Sequence, residues 1–334
     1  MKIAVVILNW NGRALLEAYL PSVVTHSQDM ARVYLADNAS TDDSVAFCKS
    51  RFRESVTVIQ NAQNGGYARG YNQALKNIKA DIFVLLNSDV AVTPGWLTPV
   101  IAAFEAHPDI AAAQPKIKDV KRKDYFEYAG AAGGFLDGLG YPYCRGRIFD
   151  RCEKDTGQYD NTIDIQWASG ACLFVRSQVF WEVGGLDEDF FAHQEEIDLC
   201  WRIKNKGHRI VACGSSEVFH LGGATLAAAH PKKTFYNFRN SLFALVKNVS
   251  SPRVFFCLFL RLVLDGVAGL KFLTEGKPSH FMAIIKAHFS FYGYFLKMWH
   301  KRAQQLSSAG SYYTVNSIVV AYFIRQKKNF RDLK

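Results

Sequence analysis

Four short apolar runs in the first 90 residues, KIAVVILN, ARVYLAD, SVTVIQN and DIFVLLNSD, each stop abruptly at polar residues. Runs of this length and continuity read as strands covered on both faces. Between them lie stretches of helical periodicity at 14–26, 42–52 and 68–78. Strand and helix in alternation predict an α/β fold with a central, mostly parallel sheet. In such sheets ligands sit outside the carboxyl ends of the strands. Those ends are Asn9-Trp10-Asn11, Asp37-Asn38, residues 61–66 and Asn87-Ser88-Asp89, all polar and unsuited to a core.

Beyond them, the pattern predicts a helix over about 96–106. Residues 121–164, rich in Gly, Tyr, Arg and Asp, have weak periodicity and read as a flexible or substrate-covering loop region. An apolar run, CLFV, follows Trp167-Ala168-Ser169-Gly170, and a helix is expected near 195–205. RIVAC reads as a strand, HLGG as a turn, and from about Tyr236 the chain reads as helical to its end.

The net charge of +10 is unevenly held. Residues 241–334 carry 14 Lys and Arg against 3 Asp and Glu, which leaves 26 against 27 in 1–240. A basic tail rich in Phe, Tyr and Leu points to a membrane surface or to nucleic acid. The seven cysteines form no CxxC pair, which argues against a zinc site or disulfide scaffold and for reduced, cytosolic thiols. The apolar N-terminal run ends by Asn9, too soon for a signal peptide. Residues 254–273 come nearest to a membrane span but are interrupted by Arg261, Asp265 and Lys271. On a helical wheel these and Arg253 share one arc. That pattern suits a helix lying in a membrane interface and equally a helix packed on the domain with one wet stripe.

Several residues have the chemistry of a site. Asp89, ending a buried run, can hold a hard divalent cation against phosphates, or simply cap the next turn. Asn64-Gly65-Gly66-Tyr67-Ala68-Arg69-Gly70 opens a helix whose free N–H groups can meet an anion, though its spacing matches neither GxGxxG nor a P-loop. The missing glycine fingerprint disfavours a Rossmann dehydrogenase. Glu195, Glu196 and Asp198 crowd one helix start, where neighbouring acids oppose each other's ionisation and one can act as a base; favourable acids at a helix N-terminus are the simpler account. His220 precedes glycines and can ligate a metal or donate to phosphate, or be structural.

Seven blocks, VVILNWNG, LADNASTDDS, NGGYARGYNQ, LLNSDV, WASGACLFVR, GGLDEDFFAHQEEIDLCWRI and VFHLGG, together resemble a family-two glycosyltransferase of the GT-A fold, on the rhamnosyltransferase-like branch, over about residues 1–225. The resemblance implies a nucleotide-sugar domain at 1–235 and a helical, basic, aromatic-rich region at 236–334. It implies inverting transfer of a sugar from a nucleotide-diphosphate donor to a glycan or polyprenyl-linked acceptor, in cell-surface polysaccharide assembly. Trp10, flanked by Asn9 and Asn11, falls near the nucleotide; Asp37 and Asn38 fall where the family reads base and ribose. Asn64, Gly66, Arg69 and Asn72 fall on the donor side, and Ser169 and Gly170 border the reacting sugar. Asn87-Ser88-Asp89 matches the DxD motif, with Asn87 in place of its first acid. Asp89 and His220 are then the metal contacts, for Mn2+ or Mg2+. Glu196 is the expected base, with Glu195 the fallback. The resemblance also implies a cytoplasmic protein, peripheral on the inner face of the cytoplasmic membrane. It leaves no role for nucleic acid, and a homodimer through the C-terminal helices is the other use for the tail. Asn87 and the Glu-Glu pair leave open a catalytically degenerate domain that binds a nucleotide sugar or glycan without turnover.

Overall fold

A computed structural model of the chain describes residues 1–222, 230–250, 253–302 and 311–333. Gly223 of the expected turn, and residues 251–252, 303–310 and 334 of the expected helical region, lie outside the described residues. The four apolar runs are β1 (Ile3–Asn9), β2 (Arg32–Asp37), β3 (Val56–Gln60) and β4 (Ile82–Asn87), parallel in the order β4-β1-β2-β3. Helices α1 (Arg13–Ser27), α2 (Ser44–Arg51) and α3 (Gly66–Leu75) make the crossovers. The sheet continues past β4 through β12 (Cys172–Arg176), β6 (Ile110–Asp119), β13 (Arg209–His220) and β11 (Ile163–Asp164), with β5 (Val90–Val92) added on β13. Helices α4 (Thr98–Ala106), α5 (Ser177–Glu182) and α6 (Glu195–Asn205) complete this body.

Both faces of the sheet are covered, which is why the central runs are apolar throughout rather than alternating. Val5 and Ile7 of β1 join a layer with Leu16 and Leu20 of α1 and Phe104 of α4. Ala4 and Val6 join the opposite layer, with Tyr71 of α3 and Ile197 of α6. That second layer extends without a break into α7 (Pro231–Asn248), α8 (Arg253–Thr274) and α9 (Pro278–Arg302), through Leu242, Phe243, Leu258 and Phe291.

Three expectations are corrected. Residues 121–164 are not a loose loop region. They contain a small antiparallel sheet of β7 (Gly134–Leu136), β8 (Pro142–Cys144), β9 (Arg147–Ile148) and β10 (Arg151–Cys152), with Tyr143, Cys144 and Ile148 buried. Strands of two or three residues are too short to show a period. The described chain is not helical beyond α9: residues 311–333 return to the small sheet with only short turns of π- and 3-10-helix. There Val315 bridges Asp137, the Ile318 N–H donates to Asp137 Oδ2 (2.8 Å), and Phe330 packs on Phe135 (5.1 Å between centroids). The aromatic residues of the tail cover this sheet instead of forming another helix.

The third correction concerns the polar stripe of α8. Arg261 and Asp265 are 2% and 0% exposed, so the middle of the stripe is dry and faces inward, while Arg253 and Lys271 at its ends are exposed. Arg261 donates to Ser241 Oγ (2.7 Å) and Leu139 O (3.3 Å), and Asp265 Oδ2 lies 3.1 Å from His288 Nε2. Partners from three neighbouring segments take up most of these polar atoms, and Arg261 Nε, without a hydrogen-bond partner, lies 3.6 Å from Asp265 Oδ1. Among the described residues, no helix is long and apolar enough to cross a membrane.

Candidate active site

The parallel register gathers the polar strand ends on one edge. Asn9 stands opposite Asp37, and its Nδ2 donates to Asp37 Oδ1 (3.1 Å) and Ser40 Oγ (3.1 Å). Asn38 Nδ2 donates to Asn64 Oδ1 (2.9 Å) and Gly66 O (3.1 Å), while Asn61 Nδ2 donates to Asn38 Oδ1 (3.2 Å). This amide chain ties β1, β2 and the start of α3 into one rigid rim. Asn11, at φ 49°, accepts the Thr41 N–H (2.7 Å) and holds the loop after β2. Trp10 stands between Asn9 and Asn11 with 49% of its surface exposed, an indole face left open on a polar rim.

At the end of β4 the chain turns through Asn87-Ser88-Asp89 into β5, and β5 pairs antiparallel with β13 so that His220 faces Val90. That pairing brings together two residues 131 positions apart. His220 Nε2 lies 3.1 Å from Asp89 Oδ1 and 3.4 Å from Asn87 Nδ2. On the other side, His220 Nδ1 lies 3.2 Å from Glu127 Oε2. All of Asp89, Glu127 and His220 are buried. Burial opposes charge on the imidazole, but the flanking carboxylates outweigh it and push His220 up to about 10. Ser88 sits across from Gly12, where an added Cβ would stand 3.8 Å from its Oγ.

Because β12 runs antiparallel to β4, its first residue, Cys172, lies opposite Leu86, and the Asn87 N–H donates to Ala171 O (3.0 Å). The segment before β12 therefore borders the same edge. Gly170 O accepts the Tyr67 hydroxyl (2.7 Å), and a Cβ on Gly170 would stand 3.6 Å from Glu196 Cγ. Glu195 and Glu196 begin α6. Glu195 is 4% exposed and its Oε2 has no partner, whereas Glu196 is more open. Among the described residues no Lys, Arg or His pairs with either. Burial holds both carboxyls above the usual range, and the charge of Glu196 raises Glu195 further.

Other expected residues have structural partners. The Asn72 amide is fully engaged with Leu186, donating to its O (2.8 Å) and accepting its N–H (3.0 Å), so it clamps α3 to the 185–188 loop and does not face the strand edge. The close approach that Gly66 permits at φ 75° is to Phe191, whose carbonyl accepts the Tyr67 N–H (2.9 Å). Arg69 is half exposed, 3.9 Å from Glu188. Ser169 is buried; its N–H donates to Gln114 Oε1 (2.9 Å) and its Oγ accepts the Ala171 N–H (3.2 Å).

The family model for glycosyl transferase family 2 matches residues 4–184, the stretch that builds the rim, the Asp89 turn and the Gly170 segment. The chain belongs to this family. It is a glycosyltransferase with the GT-A fold. This glycosyltransferase is similar to the N-acetylglucosaminyl-diphospho-decaprenol L-rhamnosyltransferase of Mycobacterium tuberculosis, 28% identical over 245 residues that cover 66% of this chain and 78% of the relative. It is also similar to the low-salt glycan biosynthesis hexosyltransferase Agl10 of Haloferax volcanii, 19% identical over 65% of this chain and 66% of the relative. Among solved structures, GalNAc-T7 with UDP, GalNAc and Mn2+ superposes with a TM-score of 0.57 at 16% identity, covering 74% of this chain and 48% of that one. The mannosyltransferase PcManGT from Pyrobaculum calidifontis, in complex with GDP-Man and Mn2+, superposes at 0.53 with 13% identity, covering 91% and 84%. These structures share the fold.

Sequence reasoning singled out both members of the Asp89–His220 contact but missed Glu127. Glu127 lies in the stretch of weak period, and its only signal was a carboxylate beside Gly and Ala residues. Tyr67, which ties α3 to Gly170, was also missed.

Proposed function

We propose that this glycosyltransferase moves a hexosyl or rhamnosyl group, with inversion, from a nucleotide-diphosphate sugar to a hydroxyl of a glycan or polyprenyl-linked acceptor. The relative that acts as a rhamnosyltransferase on a diphospho-decaprenol glycan supports a membrane-borne acceptor in cell-surface polysaccharide assembly. The enzyme then works peripherally at the inner face of the cytoplasmic membrane, with residues 1–235 as the nucleotide-sugar unit and 236–334, which hold most of α7 with α8 and α9, beside it.

One observation carries the proposal. The strand edge holds two carboxylate environments: Asp89 beside the His220 imidazole, and the Glu195–Glu196 pair with no cation. Carboxylates held apart in this way divide the labour between charge binding and proton transfer. Glu196, the more open acid and the neighbour of Gly170, takes the proton of the acceptor hydroxyl as its oxygen attacks the anomeric carbon. Glu195, buried and crowded by Glu196, stays protonated and keeps the pair from carrying two charges. The amide rim of Asn9, Asn11, Asp37, Asn38 and Asn64 orients the nucleoside, with Trp10 as its stacking face and Arg69 near the donor. Gly170 leaves room for the sugar.

Asp89 offers a carboxylate oxygen, Asn87 an amide oxygen and His220 an imidazole nitrogen, a donor set that fits Mn2+ or Mg2+. Among the described residues no three His, Cys, Asp or Glu form a metal cage, so Asp89, Asn87 and His220 would hold a cation with positions left for other ligands. A bound cation supplies positive charge against the departing diphosphate.

The test is a panel of nucleotide sugars, with Mn2+ or Mg2+ and a polyprenyl-diphosphate-linked saccharide acceptor, read by nucleoside-diphosphate release. Acceptor-dependent release that Glu196→Gln lowers at least a hundredfold is expected. Full activity in Glu196→Gln would overturn the base assignment, and donor binding without release under any pairing would overturn the enzyme reading for these substrates.

A further inference from the structure

From the inverted polarity of α8 we infer that its outward face docks on an anionic lipid bilayer, with the helix lying along the surface. The two charged residues within 254–270, Arg261 and Asp265, are both buried. Arg261 stacks over the Tyr141 ring (3.8 Å) and Asp265 contacts His288, so neither can turn outward without losing its partners. What remains in water is apolar: Phe255, Phe256, Phe259, Val263, Val267 and Leu270 are each between 51% and 64% exposed. These six side chains lie along residues 255–270, which span roughly 24 Å at ~1.5 Å per residue. An uninterrupted apolar face of that length is far beyond the scattered exposed Leu or Phe of an ordinary surface.

The fringe of this face decides the occupant. It is cationic. Arg253 and Lys271 stand exposed at its two ends, and Lys277 follows. Lys271 also lies 5.5 Å from the ring of Phe323, which brings the turn at 320–324, with Ile324 74% exposed and Arg325 beside it, against the end of α8. The acids of the region are neutralised or removed: Asp265 is buried, and Glu275 pairs with Lys271 and Lys277. Apolar side chains inside a ring of cations match the acyl boundary and the anionic headgroups of a bilayer. A second copy of this chain would instead bring the same cations face to face. A transverse insertion is excluded by the lack of any spanning helix among the described residues.

The experiment is sedimentation of the full chain with vesicles of phosphatidylcholine alone and of phosphatidylcholine with phosphatidylglycerol, beside light scattering for oligomeric state. The substitutions are Phe259→Glu with Leu270→Glu on the face, Lys271→Glu at its edge, and Met30→Glu as an exposed control elsewhere. The wild type and the control should partition onto anionic vesicles. The double variant should lose at least tenfold in partitioning while remaining folded by circular dichroism, and Lys271→Glu should weaken binding to anionic vesicles more than to neutral ones. Equal partitioning of the double variant and the wild type would overturn the inference. So would a wild-type dimer that the double variant splits, since the face would then belong to a second copy. Partitioning needs neither donor nor acceptor, so its failure is separate from any failure of the transfer assignment.

Discussion

Lys247 Nζ lies 2.7 Å from Asp198 Oδ2 and 2.6 Å from Asp187 Oδ2, so the third acid of the 195–198 group is bound to α7. Asp198 also accepts from Arg202 Nε (2.9 Å) and Asn248 Nδ2 (2.9 Å) and is 0% exposed. It anchors the helix whose first turn carries Glu195 and Glu196.

Removing that anchor leaves Asp198 with Arg202 alone and Asp187 with Lys301 alone, one cation each in place of two. Lys247→Ala should cost about 3–5 kcal/mol in urea unfolding. Burial opposes the Asp198 and Asp187 charges, but Arg202 and Lys247 on one and Lys247 and Lys301 on the other hold both carboxyls below the usual range. Depressed carboxyl pKa values give stability that is present above the unfolded value of about 3.9 and lost as pH falls through the folded one. The variant, with that depression reduced, should unfold at a higher pH than the wild type during acid titration. An unchanged acid midpoint would show that Lys247 does not set it.

The pH dependence of transfer follows from the opposite shift. Glu196 is raised by burial, and a base must be ionised, so kcat/KM should fall as pH drops, on a limb lying above the ordinary Glu value of about 4.3. Glu195 is the protonated partner, so Glu195→Gln should leave that limb in place while transfer persists. Glu196→Gln should lower kcat by about 10²–10⁴-fold. Single-turnover rates across pH separate the two.

Glu127 should act through His220. Metal-ligating histidines are oriented by a carboxylate on their other nitrogen, and losing such a partner typically costs about 10–100-fold in metal affinity. Glu127→Gln is therefore expected to weaken Mn2+ binding in calorimetry with nucleoside diphosphate present, less than Asp89→Asn does. Equal Mn2+ affinity in Glu127→Gln and wild type would leave Glu127 a purely structural residue.

Gly66→Ala places a Cβ 2.5 Å from the Phe191 carbonyl oxygen at φ 75°, a backbone atom that cannot swing aside. Gly95 has a similar φ of 72° and nothing within 4 Å. Gly95→Ala should cost only the roughly 1–2 kcal/mol of the left-handed backbone, and Gly66→Ala clearly more. Equal melting temperatures for the two variants would mean that the Phe191 contact yields easily.

The strands of the sheet were legible because burial on both faces writes continuous apolar runs, and their ends were legible because Asn9, Asp37 and Asn87 interrupt them. The family resemblance paired Asp89 with His220 as metal contacts, but spacing alone could not, since their contact depends on β5 meeting β13. Asn72 shows the limit of motif spacing: it sits where the family pattern expects a donor residue, yet its amide matches the backbone of Leu186 in both directions. The wheel of α8 located the stripe of Arg261 and Asp265 but not its direction, because periodicity is the same whether a polar face meets water or meets Tyr141 and His288. The small sheet was invisible for lack of length, and Glu127 was hidden with it.

The return of residues 311–333 to that small sheet sets a clock on biosynthesis. Phe135, Asp137 and Tyr143 are made long before their partners Val315, Ile318 and Phe330 emerge from the ribosome. The parallel strands can close from the N-terminus as they emerge. The small sheet stays unfinished until residues 315–330 are made, so a chain cut short before them would carry an assembled strand edge beside uncovered aromatic rings.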